Sequence, residues 1–210
     1  MAVNKEEYQS LAKELKKKNV VLVAVSKTKP VEDIMALYEL GQRDFGENYV
    51  QELVDKAALL PDDIRWHFIG HLQTNKVKYI VPLVQLIQGV DSLKLLKEIN
   101  KQAEKSGKVV DCLLQVYIAS EETKFGLNRQ ELEEALGEAT QLKHVAIRGL
   151  MGMASFTASE DQLRAEFRNL RSLFHPPLSI LSMGMSADYA LAIEEGSTMV
   201  RIGSRLFGQR

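Results

Sequence analysis

The sequence predicts one α/β domain over residues 1–210, a (β/α)8 barrel of the TIM type with an extra helix at its N-terminus. Eight short apolar runs alternate with helical patterns along the chain. Most of these runs are continuously apolar, as parallel strands covered on both faces are. No proline-rich or glycine-rich linker divides them. A doubly wound open sheet would give the same pattern, so it stays the alternative fold.

The elements follow one another at a spacing of about 25 residues, which is tight but feasible for such a barrel. A charged amphipathic helix over residues 6–18 comes first. The predicted strands cover residues 20–25, 43–46, 65–69, 84–88, 109–117, 145–151, 178–182 and 198–202. The clearest helices between them cover residues 31–40, 93–103, a stretch opened by Asn128 and Glu131, and 160–174.

The last of these helices has the strongest pattern. Leu163, Phe167 and Leu170 repeat at spacings of four and three, which places them on one face. Ser159 stands at the N-cap position and Gln162 follows three residues later, as in a capping box. We therefore expect one apolar face to pack on the sheet.

Composition excludes several classes of protein. The 27 basic and 28 acidic residues give a net charge of −1, so no overall field attracts nucleic acid or an anionic membrane. A single cysteine, Cys112, excludes a disulfide framework and a cysteine-built zinc site. No apolar run approaches the roughly 20 residues of a membrane helix, and the N-terminus lacks a signal-peptide pattern. We expect a soluble, cytoplasmic protein.

Familiar catalytic motifs do not occur in the chain. It contains no Walker P-loop and no GxGxxG, HExxH or GxSxG sequence. His67 and His71 are four residues apart, but they span a strand end and a glycine, so we do not expect them to bind a metal together.

Lys27 follows the first predicted strand, at the end of the barrel where such folds place their sites. Removal of this amine from water would favour its neutral form, which can attack an aldehyde and form an imine. The alternative is a loop lysine with its charge in water.

The C-terminal fifth of the chain contains a candidate phosphate site. Ser186 is predicted to end a strand and cap a helix, which leaves backbone N–H groups free to bind an anion. Gly203 and Ser204 follow the last strand, where the glycine lets a phosphate approach the backbone. Barrels commonly bind phosphate after strands seven and eight. An ordinary helix cap and an ordinary strand-ending glycine are the alternatives.

Arg201 lies within the last predicted strand, between Val200 and Ile202. Its side chain therefore points away from theirs. It either faces the barrel interior, where it requires an acceptor, or faces the helices as part of an ion pair. The sequence does not distinguish the two.

Five motifs together resemble the pyridoxal phosphate homeostasis protein family, and they extend from Val23 to Gly208. They are VAVSKTKP, FGENYVQE, WHFIGHLQTNK, RGLMGM and LSMGMSADYALAIEEGSTMVRIGSRLFG. The family is similar in fold to the N-terminal barrel of alanine racemase. The resemblance implies a protein that binds pyridoxal 5′-phosphate (PLP).

The resemblance also implies a role for seven residues. It places the internal aldimine on Lys27 rather than Lys29. Phosphate contacts are implied for Ser186, Gly203 and Ser204, a position near the pyridine nitrogen for Arg201, and further cofactor contacts for Asn48 and Lys124. Two departures are present: Ala187 stands where the family more often has aspartate, and the connection over residues 174–178 is short, so we expect a trimmed seventh helix.

The expected function is that of a carrier or regulator, which masks the PLP aldehyde with little or no turnover. An arginine at the ring nitrogen makes the ring a weak electron sink. No base for the opposite face of a substrate is identifiable, and the chain ends at Arg210, directly after the barrel. PLP-dependent apoenzymes are the expected recipients, and we expect a monomer. The alternatives are a PLP-dependent amino-acid racemase, a cofactor-free Schiff-base aldolase and, last, a purely structural interaction protein.

Overall fold

A computed structural model describes residues 3–119 and 125–208 of the chain. Its strands are β1 (Val21–Val25), β2 (Asp44–Glu47), β3 (Arg65–Phe68), β4 (Val84–Val90), β5 (Val110–Gln115), β6 (Val145–Met151), β7 (Ile180–Ser182) and β8 (Met199–Ile202). Each strand is parallel to its neighbours in chain order, and β8 pairs with β1 to close the sheet. The predicted barrel is therefore confirmed, and the open sheet is excluded.

The helices surround this barrel. They are α1 (Lys5–Lys17), α2 (Val31–Tyr38), α3 (Val50–Ala57), α4 (Val77–Ile80), α5 (Leu93–Lys105), α6 (Arg129–Ala139), α7 (Glu160–Ser172), α8 (Tyr189–Glu194) and α9 (Ser204–Phe207), with a 3-10 helix over Thr74–Lys76. The extra helix α1 precedes β1, as the sequence predicts. In the described ranges, no helix has the length and apolar character needed to span a membrane.

Some element boundaries differ from the predicted ones. Strand β5 ends at Gln115, and the next residue, Val116, forms an isolated bridge with Leu127. Helix α7 ends two residues earlier than the pattern predicts, and the Ser159 hydroxyl accepts the N–H of Gln162 at 3.3 Å. With 13 residues α7 is as long as α1 and α5. The short connection after it therefore does not trim the helix.

The apolar core has two layers, one on each side of the sheet. The larger layer lies between strands and helices. The smaller one fills the barrel interior and consists of Val23, Leu86, Leu113, Met151 and Met199. In β8, Val200 and Ile202 belong to the outer layer, so alternation directs Met199 and Arg201 into the barrel. This decides between the two orientations of Arg201.

Candidate functional site at the carboxyl ends of the strands

The segment after β1 turns sharply at the mouth of the barrel. Ser26 is fully buried, and its hydroxyl donates to Oε1 of Glu47 at 2.6 Å on the outer side of the sheet. The next residue, Lys27, begins the turn at the carboxyl end of β1. The N–H of Lys29 donates to the carbonyl oxygen of Ser26 at 3.0 Å and closes the turn. Lys27 is half-buried there, at the end of the barrel where the sequence places it.

Thr28 gives this turn an unusual backbone. Its φ is +62°, in the left-handed region that β-branched residues rarely adopt. Such a conformation costs about 1–3 kcal/mol and persists only where neighbouring groups hold it. Here the backbone N–H of Thr28 donates to Oε1 of Glu52 at 2.5 Å. The residue after the candidate amine is thus held in one strained conformation.

A buried ion network stabilises the same turn through a hydrogen bond to its backbone. The Lys56 amine, with 7% of its side chain exposed, donates to the carbonyl oxygen of Ser26 at 2.7 Å. It also donates to Glu47 at 2.7 Å and to Glu52 at 2.6 Å. Burial raises the pKa of Glu47, although hydrogen bonds from Lys56 and Ser26 oppose that effect. Sequence reasoning assigned no role to these charged residues.

Lys29 differs from Lys27 in its surroundings. Its amine donates to the carbonyl oxygens of Phe207 at 2.9 Å and Gly208 at 3.4 Å. These carbonyls lie at the C-terminal end of α9, where a cation is favourable. Lys29 therefore fastens the turn to the last helix, which fits the choice of Lys27 as the reactive amine.

Ser186 does not cap a helix, so that part of the prediction is wrong. It lies in a turn, and α8 begins three residues later with Asp188 at its N-cap position. The Oδ1 atom of Asp188 accepts the N–H of Met185 at 2.5 Å, which folds this turn. The hydroxyl of Ser186 instead accepts the N–H of Gly203 at 3.2 Å. The two predicted phosphate segments are therefore in direct contact.

Gly203 also packs against the first strand. A Cβ atom at this position would lie 3.1 Å from the carbonyl oxygen of Val25 and 3.3 Å from its Cβ. The missing side chain thus lets β8 approach β1, rather than leaving open space for a ligand. Ser204 is exposed at the first position of α9, where backbone N–H groups have no acceptor within the helix. These groups lie near the strand that leads to Lys27.

Arg201 is 4% exposed and is held by neutral acceptors. Its Nη1 donates to the carbonyl oxygen of Ser182 at 2.9 Å and to the hydroxyl of Ser182 at 2.6 Å, and Nη2 donates to the carbonyl oxygen of Gly152 at 3.0 Å. Burial lowers the pKa of Arg201 to about 10, and the charge of Asp188 partly opposes this. The guanidinium stays protonated at neutral pH.

The described ranges include one of the two remaining predicted residues, Asn48. Asn48 lines a cavity of about 450 Å³ between α3 and the segment after β3, and its Oδ1 atom is buried with no partner in the described residues. Lys27, Arg201 and Ser186 do not line that cavity. Lys124 lies outside the described residues.

Comparison with known proteins places this barrel in a class. A family model described as the alanine racemase N-terminal domain matches residues 4–210. The alanine racemase of Clostridium difficile has the same fold, with a TM-score of 0.79 at 14% identity over 100% of this chain and 58% of that chain. The family match and the fold thus define a barrel of the alanine racemase N-terminal type.

Two relatives with higher identity carry one name, pyridoxal phosphate homeostasis protein. The one from Aquifex aeolicus is 44% identical over 197 residues, which cover 90% of this chain and 86% of the relative. The one from Schizosaccharomyces pombe is 41% identical over 202 residues, 92% of this chain and 85% of the relative. The chain belongs to the pyridoxal phosphate homeostasis protein family, as its motifs predict.

A solved structure agrees with this assignment. PipY of Synechococcus elongatus, solved with PLP bound, has a TM-score of 0.89 and 37% identity to this chain. The match covers 97% of this chain and 99% of PipY. The likeness therefore extends over nearly the whole of both molecules.

Proposed function

We propose that this chain binds PLP at the mouth of its barrel and acts in PLP homeostasis, with Lys27 as the covalent attachment point. The junction between the ends of β1 and β8 carries this proposal, because Gly203 packs on Val25, two residues before Lys27. This contact brings the segment that carries Lys27 next to the segment that leads into α9. PipY, a relative with nearly the same fold, was solved with PLP bound.

The described residues fit this cofactor. The amine of Lys27, a half-buried residue, matches its aldehyde. The hydroxyls of Ser186 and Ser204 and the backbone N–H groups at the start of α9 match its phosphate. The Nε–H and one N–H of Nη2 of Arg201 have no acceptor in the described residues, and they match an unprotonated ring nitrogen. We retain Asn48 and Lys124 as proposed secondary contacts.

Arg201 also supports a role without turnover. When bound, PLP supplies an electron sink whose strength depends on a protonated ring nitrogen. With a pKa of about 10, Arg201 stays cationic, and a neighbouring cation disfavours that protonation. We therefore propose a carrier or regulator, which holds a reactive aldehyde in masked form and delivers it to PLP-dependent apoenzymes.

The first test is where PLP attaches. We expect the purified chain, incubated with PLP, to absorb visible light and to lose that band on reduction with borohydride. Peptide mass spectrometry is expected to locate the reduced adduct on Lys27. A chain with no reducible band, or with the adduct on Lys29, would contradict the proposal.

The second test addresses turnover. Incubation of the PLP-loaded chain with a panel of amino acids in deuterated water is expected to give little or no exchange of the α-proton. A racemase would exchange it at a rate that scales with protein concentration. Rapid exchange would therefore favour the racemase alternative, which the names of the relatives do not favour.

Two further features belong to the proposal. We propose a monomer in the cytoplasm, a reducing compartment that suits a chain whose single cysteine, Cys112, is buried and free. Light scattering of the purified chain would measure its mass directly, and a dimer mass of twice 23.6 kDa would contradict the monomer.

A further inference from the structure

A series of hydrogen bonds, called here the hydrogen-bond chain, crosses the barrel interior from one end of the barrel to the other. It starts at Asp44, the first residue of β2, and ends at Arg201 near the mouth. Oδ1 of Asp44 lies 3.0 Å from Nε2 of His67, and Nδ1 of His67 lies 3.0 Å from Nε2 of Gln88. The hydroxyl of Ser182 lies 2.7 Å from Oε1 of Gln88 and 2.6 Å from Nη1 of Arg201. The members other than Asp44 are buried, so water does not compete for these bonds.

The two end groups of the hydrogen-bond chain, Arg201 and Asp44, determine the direction in which its members donate. A guanidinium only donates, so Oγ of Ser182 accepts from Arg201 and gives its own hydrogen to Oε1 of Gln88. The amide Nε2 of Gln88 then donates to Nδ1 of His67. A neutral imidazole carries its proton on the other nitrogen, Nε2, which faces the carboxylate of Asp44. Every group thus donates toward the anion.

Two contacts outside the chain agree with this direction. Gln88 Nε2 also lies 3.3 Å from the sulfur of Met199, a weak acceptor, which places the NH2 group on that side of the amide. At the other end, burial alone would raise the pKa of Asp44, but hydrogen bonds from Arg65 and His67 hold it down to about 2. Asp44 is therefore anionic at neutral pH and accepts from both neighbours.

We propose that His67 and Gln88 are positioning residues for Arg201, and that this one-way chain sets how the guanidinium faces the cofactor. With its hydrogen committed to Gln88, Ser182 offers only lone pairs to Arg201. That contact holds Nη1 against β7 and leaves Nε–H and one Nη2–H for a ligand. The cofactor part of this inference rests on the proposed function, whereas the bond direction does not.

The direction is tested without cofactor. Nitrogen-15 NMR of the histidine-labelled chain at neutral pH is expected to show the proton of His67 on Nε2 and none on Nδ1. The His67→Asn variant identifies the signals among those of four histidines. A proton on Nδ1 of His67, alone or together with one on Nε2, would overturn the proposed direction of these hydrogen bonds.

The positioning role is tested with PLP. Gln88→Met replaces the amide with an apolar side chain of similar length, and we expect PLP to bind about tenfold more weakly, with a shifted visible band. Gln85→Met is the matched control, because it makes the same replacement at an exposed residue of the same strand. We expect it to leave both affinity and band unchanged.

A second variant keeps the test open if Gln88→Met does not fold. Ser182→Ala removes the hydroxyl itself and is expected to cause the same loss and the same spectral shift. Native affinity and an unshifted band in a folded Gln88→Met or Ser182→Ala variant would overturn the positioning role. If the native chain takes up no PLP, the proposed function fails, and the NMR result still tests the bond direction.

Discussion

Lys27→Ala is expected to abolish the borohydride-stable PLP adduct completely. The two nearby lysines do not replace it, because Lys29 donates to the carbonyl oxygen of Phe207 and Lys56 donates to Glu47 and Glu52. Part of the noncovalent binding should remain, since the proposed phosphate contacts around Ser186 and Gly203 are untouched. Mass spectrometry after reduction measures the adduct, and titration with PLP and with phosphate-free pyridoxal measures the remaining binding.

Two companion variants separate covalent attachment from phosphate binding. Ser186→Ala is expected to keep the adduct but to weaken PLP binding about tenfold, the effect of one hydrogen bond to a charged group. Lys29→Arg keeps a donor for the carbonyl of Phe207, so it should retain both adduct and affinity. If Lys27→Ala and Ser186→Ala lost adduct and affinity equally, the proposed separation of covalent attachment at Lys27 from phosphate binding at Ser186 would be wrong.

The largest expected effect on stability follows from Lys56→Met. This change leaves the fully buried carboxylate of Glu47 without its cation and removes a donor from the carbonyl of Ser26. Loss of one partner from a buried ion pair costs about 3–5 kcal/mol, because the other charge stays in a poorly solvating site. Urea unfolding of the variant and the native chain measures the difference.

Two controls make this result specific. Lys18→Met removes the lysine of an exposed pair with Glu14, which has the same i, i+4 spacing as the pair of Lys56 and Glu52. We expect almost no change in the unfolding midpoint. Lys56→Met combined with Glu47→Gln removes both charges, so it should recover part of the lost stability. A Lys56→Met chain as stable as Lys18→Met would show that the buried network does not stabilise the fold.

Much of the fold was accessible from the sequence. Apolar runs such as that of β1 and helical periods such as that of α7 are local patterns, so they locate elements correctly. The sequence shows that Arg201 points away from Val200 and Ile202, but not which side of the sheet those two residues face. Only the structure shows that Val200 and Ile202 belong to the outer layer, so that Arg201 points into the barrel. The bridge from Val116 to Leu127, just after the end of β5, joins positions that no local pattern connects.

The polar groups around the site were harder to predict. Glu47, Glu52 and Lys56 come from two different elements, and their contacts arise only when α3 packs behind β2. The helix cap predicted at Ser186 fails because Asp188, two residues later, folds the segment into a turn through the N–H of Met185. Short polar residues that compete for one helix start are not separated by local preference alone.

The contact between Lys29 and Phe207 joins positions 178 residues apart. Contacts between such distant positions form late, because a long loop must close first. During synthesis, most of the polypeptide has therefore left the ribosome before Lys29 can reach Phe207. If PLP binds at the junction of β1 and β8 as we propose, only a chain extended past residue 207 has both sides of that site.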